Sequence, residues 1–228
     1  MRRYRRYIFP MILGVAGVAI LVALGLWQVG RLAWKEDLLA RIEAKIGDTP
    51  IDLSDLPAPD PVTDLYQPVR VAGRTGADLL VLTGRKDQGA GYEVISAFEL
   101  QDGRRILLDR GFIAEAGRDL PRPPRALTVI GNLVWPNEAD SYTPEPDRAK
   151  RLWFVRDVAS MSEFLQTAPI LVVARQAEGE DATIVPVPVD TTGIPNDHLN
   201  YAITWFSLAC VWAGMTVYLL WRIRQRTH

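Results

Sequence analysis

The chain has 228 residues and a formal net charge of −1, enough length for one modest domain with appendages. Of its 26 Lys and Arg, seven arginines lie before residue 7 or after residue 221; the other 19 face all 27 Asp and Glu between residues 31 and 200. That acidic middle argues against a nucleic-acid partner, and a single cysteine, Cys210, excludes disulfides and cysteine-based metal sites from it.

Residues 1–7 read as a basic tail carrying Arg2, Arg3, Arg5 and Arg6. The run IFPMILGVAGVAILVALGLWQVG, residues 8–30, is uncharged. It exceeds the roughly 20 residues a helix needs to cross about 30 Å of hydrocarbon, which predicts a first transmembrane helix. The run is too long for a cleaved signal, and no small-x-small site follows, so it is expected to stay as an anchor. Leu32, Leu39, Ile42 and Ile46 recur at helical spacing and extend the helix over 31–46. GDTPIDLSDLPAPDPVTD then breaks it with four prolines.

From Tyr66 the pattern changes to strands. QPVRVAG and DLLVLTGR read as two of them. GYEVISAFEL and RRILLDRGFI flank Asp102-Gly103, a hairpin signal. ALTVIGNLV and ILVVAR supply two more. DVASMSEFL, between those two, reads as a short helix capped by Asp157. A proline-punctuated segment leads to a second uncharged run, residues 201–221, with a basic tail at 222–228. Small residues in both runs (Gly14, Gly17, Ala19, Ala209, Ala213, Gly214) suit close helix pairing. The expected architecture is a membrane protein: two transmembrane α-helices flanking a β-rich α+β outer domain over 31–200, an antiparallel and partly closed barrel. Basic flanks stay on the cytoplasmic side. Both termini are therefore expected in the cytoplasm and the main domain in the periplasm. No Arg-rich, Ser-rich transit segment precedes the first span, which points to a bacterial inner membrane.

Familiar catalytic patterns do not occur: there is no G-x-S-x-G, P-loop or G-x-G-x-x-G. A Ser-His-Asp triad, as in an envelope hydrolase, would have to use His198, the only histidine besides the terminal residue, and nothing marks a catalytic pair among the many carboxylates. The topology puts Trp27, Gln28 and Arg31 at the same membrane face as His198, Tyr201 and Trp205. If the spans pack together, these six converge. Interfacial Trp, Tyr and Arg are also ordinary membrane anchors, and a boundary histidine is often a solvated cap. One ligand class suits the cluster: haem is flat, largely apolar and anionic at its propionates. His198 would ligate the iron, Trp27 and Trp205 would wall the ring, and Arg31 would pair with a propionate. These residues do not choose haem a over haem b. A purely protein-protein scaffold fits the acidic surface equally well.

Four stretches in this order resemble the Surfeit locus protein one family, assembly factors for haem-copper cytochrome c oxidase. They are LGLWQVGRLAWK at 24–35, YQPVRVAG at 66–73, DGRRILLDRGFI at 102–113 and NDHLNYAITWFSLA at 196–209. The chain departs from that family where Asp109-Arg110-Gly111-Phe112 replaces Asn-Arg-Gly-Trp, where Ala97 replaces Pro, and where Asp197 replaces Asn. The resemblance implies a non-enzymatic accessory protein of the inner membrane. It implies haem a as cofactor, oxidase subunit I and haem a synthase as partners, and membrane lipid around the spans. By the same resemblance His198 is the axial ligand, with Trp27, Gln28, Arg31, Tyr201, Thr204 and Trp205 around it.

Overall fold

The computed structural model describes residues 2–86 and 88–225, with side chains from residue 7 onward. Residue 1 and residues 226–228, parts of the two expected basic tails, lie outside the described residues, as do the side chains of Arg2, Arg3, Arg5 and Arg6. The chain divides into two compact units, Met1–Arg41 with Thr191–His228, and Ile42–Asp190.

Two apolar helices flank a mixed sheet. Helix α1, Arg2–Ile46, runs without a break through the first apolar run and the charged stretch after it. From Tyr7 to its end it has 40 residues, about 60 Å of helix and roughly twice a hydrocarbon layer. Its last carbonyl, Ile46 O, accepts from Asn132 Nδ2 at 3.0 Å and Arg175 Nη1 at 3.2 Å. These side chains replace the intrahelical donors that a helix end lacks. The last helix begins at His198, three residues before the uncharged run, and continues to Gln225. Both helices are long and apolar enough to cross a membrane, and only 11% and 6% of their apolar windows are buried.

In the second unit the strands follow in order: β1 (Ile51–Asp52), β2 (Pro68–Arg85), β3 (Gly89–Leu100), β4 (Arg105–Ala114), β5 (Ala126–Val134), β6 (Leu152–Trp153) and β7 (Leu171–Glu178). Helix α2, Val158–Leu165, precedes β7, and the last helix is α3. The two stretches expected as separate strands from Gln67 to Arg85 are one long strand, β2, with a bulge between Thr75 and Asp78. The bulge lets β2 serve two neighbours: Pro68–Arg74 pairs with β5, and Gly73–Arg85 pairs with β3. The ladders run β2–β3–β4–β7–β5 and return from β5 to β2. They are not all antiparallel: β4–β7, β1–β2 and β2–β6 are parallel. The physical reason is the crossover after β4, which carries β5 and α2 before the chain returns as β7 beside β4.

Strand β4 is buried on both faces. Ile106 and Leu108 join Val69, Phe98, Val129 and Val172 on one side. Leu107 joins Ile95, Leu171 and Trp153 under Met161 and Leu165 of α2 on the other. Asp157 caps α2 as expected, accepting from Ser160 N at 3.2 Å. Gly103 turns the hairpin at φ +85°, and Gly111 at φ +123° leaves 2.2 Å between an added Cβ and Val185 O. No other residue type fits there.

Candidate functional site

In the first unit α1 and α3 run antiparallel along a seam of small residues. A Cβ at Gly14 would meet Thr216, one at Gly17 would meet Trp212, and one at Gly25 would meet Phe206. Ala202 and Ala209 are buried on the α3 side. Gly14, Gly17 and Gly25 of α1 are thus notches that receive side chains of α3. Gly17→Leu, whose Cβ alone would sit 2.3 Å from Trp212 Nε1, is expected to weaken helix pairing by about 1–3 kcal/mol. An unchanged thermal midpoint of the purified full chain in mild detergent would contradict this.

At one end of the seam the packing becomes polar. Gln28 is buried, and its Oε1 lies 2.8 Å from His198 Nδ1. Beyond it Lys35 Nζ donates to Pro195 O at 2.5 Å. Gln28 and Gly14 are about 21 Å apart along the helix, so the contact lies well away from the Thr216 end. A glutamine Oε1 only accepts, so this contact is a hydrogen bond when the imidazole Nδ1 carries the hydrogen. The other nitrogen, Nε2, then has the lone pair.

The remaining expected site residues lie beside this contact. At about 100° per residue, Arg31, Trp27 and Trp34 fall roughly 60–120° to one side of Gln28 on α1. Tyr201 and Thr204 fall roughly 60–120° to the same-signed side of His198 on α3. Because the helices are antiparallel, these sides form one flank of the pair. Trp27 is 58% exposed there and Tyr201 55%. The Arg31 guanidinium lies 4.5 Å from the centroid of the Trp34 ring. Trp205 is half-buried near the seam. Thr204 Oγ1 donates to Asn200 O at 2.8 Å, so its hydroxyl hydrogen is engaged within its own helix. The contact the structure brings together is Gln28 with His198; the others border it.

Residues 15–210 match the profile of the SURF1 family, a span that includes both Gln28 and His198. The chain belongs to the SURF1 family. A SURF1-like protein of Monosiga brevicollis is 32% identical over 216 residues, 86% of this chain and 82% of the relative. One from Rickettsia felis is 27% identical over 217 residues, covering 89% and 92%. Surfeit locus protein 1 of Rattus norvegicus is 28% identical over 225 residues, covering 87% and 70%.

Two features of this SURF1 family member escape a reading of the sequence. One is at the seam: Lys35, and Asn196, whose Oδ1 is buried without a hydrogen-bond partner among the described residues. The other is a charge cluster in the sheet unit. Arg156 holds Glu138 through Nε at 3.0 Å and Nη2 at 2.5 Å, and stands 3.8 Å from Glu93. Asp109 on β4 is buried; its Oδ1 accepts from Gly111 N at 3.0 Å and its Oδ2 has no hydrogen-bond partner among the described residues. Burial, reinforced by the Glu93 carboxylate, pushes the Asp109 carboxyl well above the usual carboxylate range, against the pull of Arg156. Burial likewise raises Glu93.

The native state therefore keeps a proton on Asp109 at pH values where the unfolded chain has released it. Native stability then falls as pH rises from the ordinary carboxylate range through the raised folded value. Asp109→Asn is expected to flatten that fall, measured as the difference in urea midpoint between about pH 5 and about pH 8. An equal slope in both proteins would show that Asp109 does not carry it.

Proposed function

We propose that this protein is a non-enzymatic assembly factor for a haem-copper terminal oxidase such as cytochrome c oxidase. It binds haem a at the outer membrane interface and assists its insertion into subunit I. The observation that carries the proposal is the Gln28–His198 contact at one end of the span seam, beside an exposed aromatic flank. The residues fit the group. His198 Nε2 has the lone pair that iron needs, Trp27 and Tyr201 expose aromatic surface, and Arg31 keeps guanidinium hydrogens for a carboxylate while stacked on Trp34. Bound haem supplies the redox-active iron that the oxidase needs. His198 holds the iron, Trp27, Tyr201 and Trp205 cover the apolar ring, and Arg31 and Gln28 orient what is held. Thr204 contributes bulk rather than a hydroxyl donor.

Both basic ends lie in the cytoplasm of a bacterial cell, the sheet unit faces the periplasm, and lipid covers the exposed apolar helix surfaces. The circuit of ladders is read as a partly closed barrel that docks oxidase subunit I and haem a synthase. The test is to co-express the full chain with haem a synthesis and purify it. A haem absorption band in the wild type that His198→Ala abolishes is the expected result. A colourless wild-type protein whose loss still impairs the oxidase would make it a scaffold instead. Turnover of a small substrate dependent on His198 would make it an envelope enzyme.

A further inference from the structure

We propose that Gln28 is the positioning residue for His198: its side-chain carbonyl fixes the imidazole in the Nδ1–H form and so reserves Nε2 as the ligand nitrogen. The role as ligand rests on the haem reading above; the tautomer does not.

A free neutral imidazole exchanges its hydrogen between the two ring nitrogens, and its ring rotates about two side-chain bonds. Either freedom would blur the direction of the lone pair. Gln28 removes both, because a single acceptor 2.8 Å from Nδ1 selects the tautomer and pins the ring orientation. Gln28 is itself held: it is buried, on the seam face of α1, one turn from the Gly25 notch that receives Phe206. The contact is part-buried, which limits competing water. The carbonyl also withdraws no proton. With Nδ1–H held by this acceptor, Nε2 is the nitrogen left to face a metal. The register of the two helices is thereby coupled to the orientation of a ligand nitrogen, a link between packing and binding.

The chain has only two histidines, His198 and His228, so a 15N-histidine-labelled full chain in detergent gives two imidazole signals, and a His228→Ala control assigns them. In the haem-free wild type the His198 shifts should report one neutral tautomer with Nε2 unprotonated. Gln28→Met keeps length and helix propensity but removes the acceptor. It should give a mixture of tautomers and, when loaded, a haem affinity lower by about ten-fold or more. Gln28→Glu supplies a charged acceptor. It should restore the single tautomer and lower the reduction potential of bound haem below that of the wild type. Either of two outcomes overturns the role of Gln28: a His198 tautomer with Nε2–H in the wild type, or an unchanged single tautomer in Gln28→Met. If the wild type carries no haem, the haem reading falls, while the haem-free spectra still decide the tautomer. If haem binds through His198 and Gln28→Met leaves tautomer, affinity and potential unchanged, the haem reading stands and the positioning role is wrong.

Discussion

Replacing Glu180 with alanine is expected to destabilise the sheet unit by about 3–5 kcal/mol, a large share of the roughly 5–15 kcal/mol that holds a domain together. The side chains of Arg110 and Glu180 are 2% and 5% exposed. Arg110 donates through Nε and Nη2 to the two carboxylate oxygens, at 2.8 and 2.5 Å. Its Nη1 reaches only the neutral Ser96 Oγ at 3.4 Å, and the Asp181 carboxylate, which feels the Arg110 charge, forms no described hydrogen bond with it. Removing the carboxylate strands a buried guanidinium, and that uncompensated ion is the source of the loss. The pair itself is worth less than the loss suggests, since desolvation offsets most of its attraction. Arg110→Met combined with Glu180→Leu should therefore recover most of the stability. Urea midpoints of the two proteins check this. A single-variant loss below about 1 kcal/mol, or a double variant no better than the single, would refute it.

The same pair shows where the sequence stops being informative. Arg110-Gly111 is visible as a strand end with a glycine, but Glu180 is 70 residues away and looks like any solvated carboxylate. Signals carried within a few residues were legible. Asp157 before an apolar run marked the start of α2, and Asp102-Gly103 marked the hairpin. The two long uncharged runs were legible because a span needs about 20 apolar residues in a row. What required partners was not. The fusion of two strands into β2 depends on both β3 and β5 pairing with it across the Thr75–Asp78 bulge. The parallel β4–β7 ladder depends on where a long crossover returns. Strands β1 and β6 have two residues each, too few for any periodicity.

At the site, the polar and aromatic types at both span ends were readable by helical spacing. The register that sets Gln28 rather than Arg31 against His198 was not readable, because the glycine notches fix it. The small residues had been expected to bring helix surfaces close together. Gly14 and Gly17 do so by accepting Thr216 and Trp212 as knobs, as does Gly25 with Phe206, whereas Gly214 has nothing within 4 Å of an added Cβ.

His198→Ala is expected to lower haem affinity by more than about 100-fold, since even the hydrogen-bonding partner of a ligand is worth 10–100-fold. The fold should survive. His198 is the first residue of α3, and the glycine notches that hold the spans together lie further along the seam. Alanine is also the best helix former. The described hydrogen bond of the His198 ring is to Gln28, so the variant leaves that amide to rehydrate. Unchanged circular dichroism with a lost absorption band is the expected pair of results, and exogenous imidazole should restore part of the band. Loss of both band and fold would make His198 a structural residue. Retention of both would place the ligand elsewhere.

The most direct measurement of the central claim is the nitrogen hyperfine coupling of the bound iron in a full chain labelled with 15N-histidine. Coupling from one imidazole that persists in His228→Ala and disappears in His198→Ala is the predicted result. Haem bound with no 15N coupling, or coupling that follows His228, would contradict the assignment of His198 as the ligand.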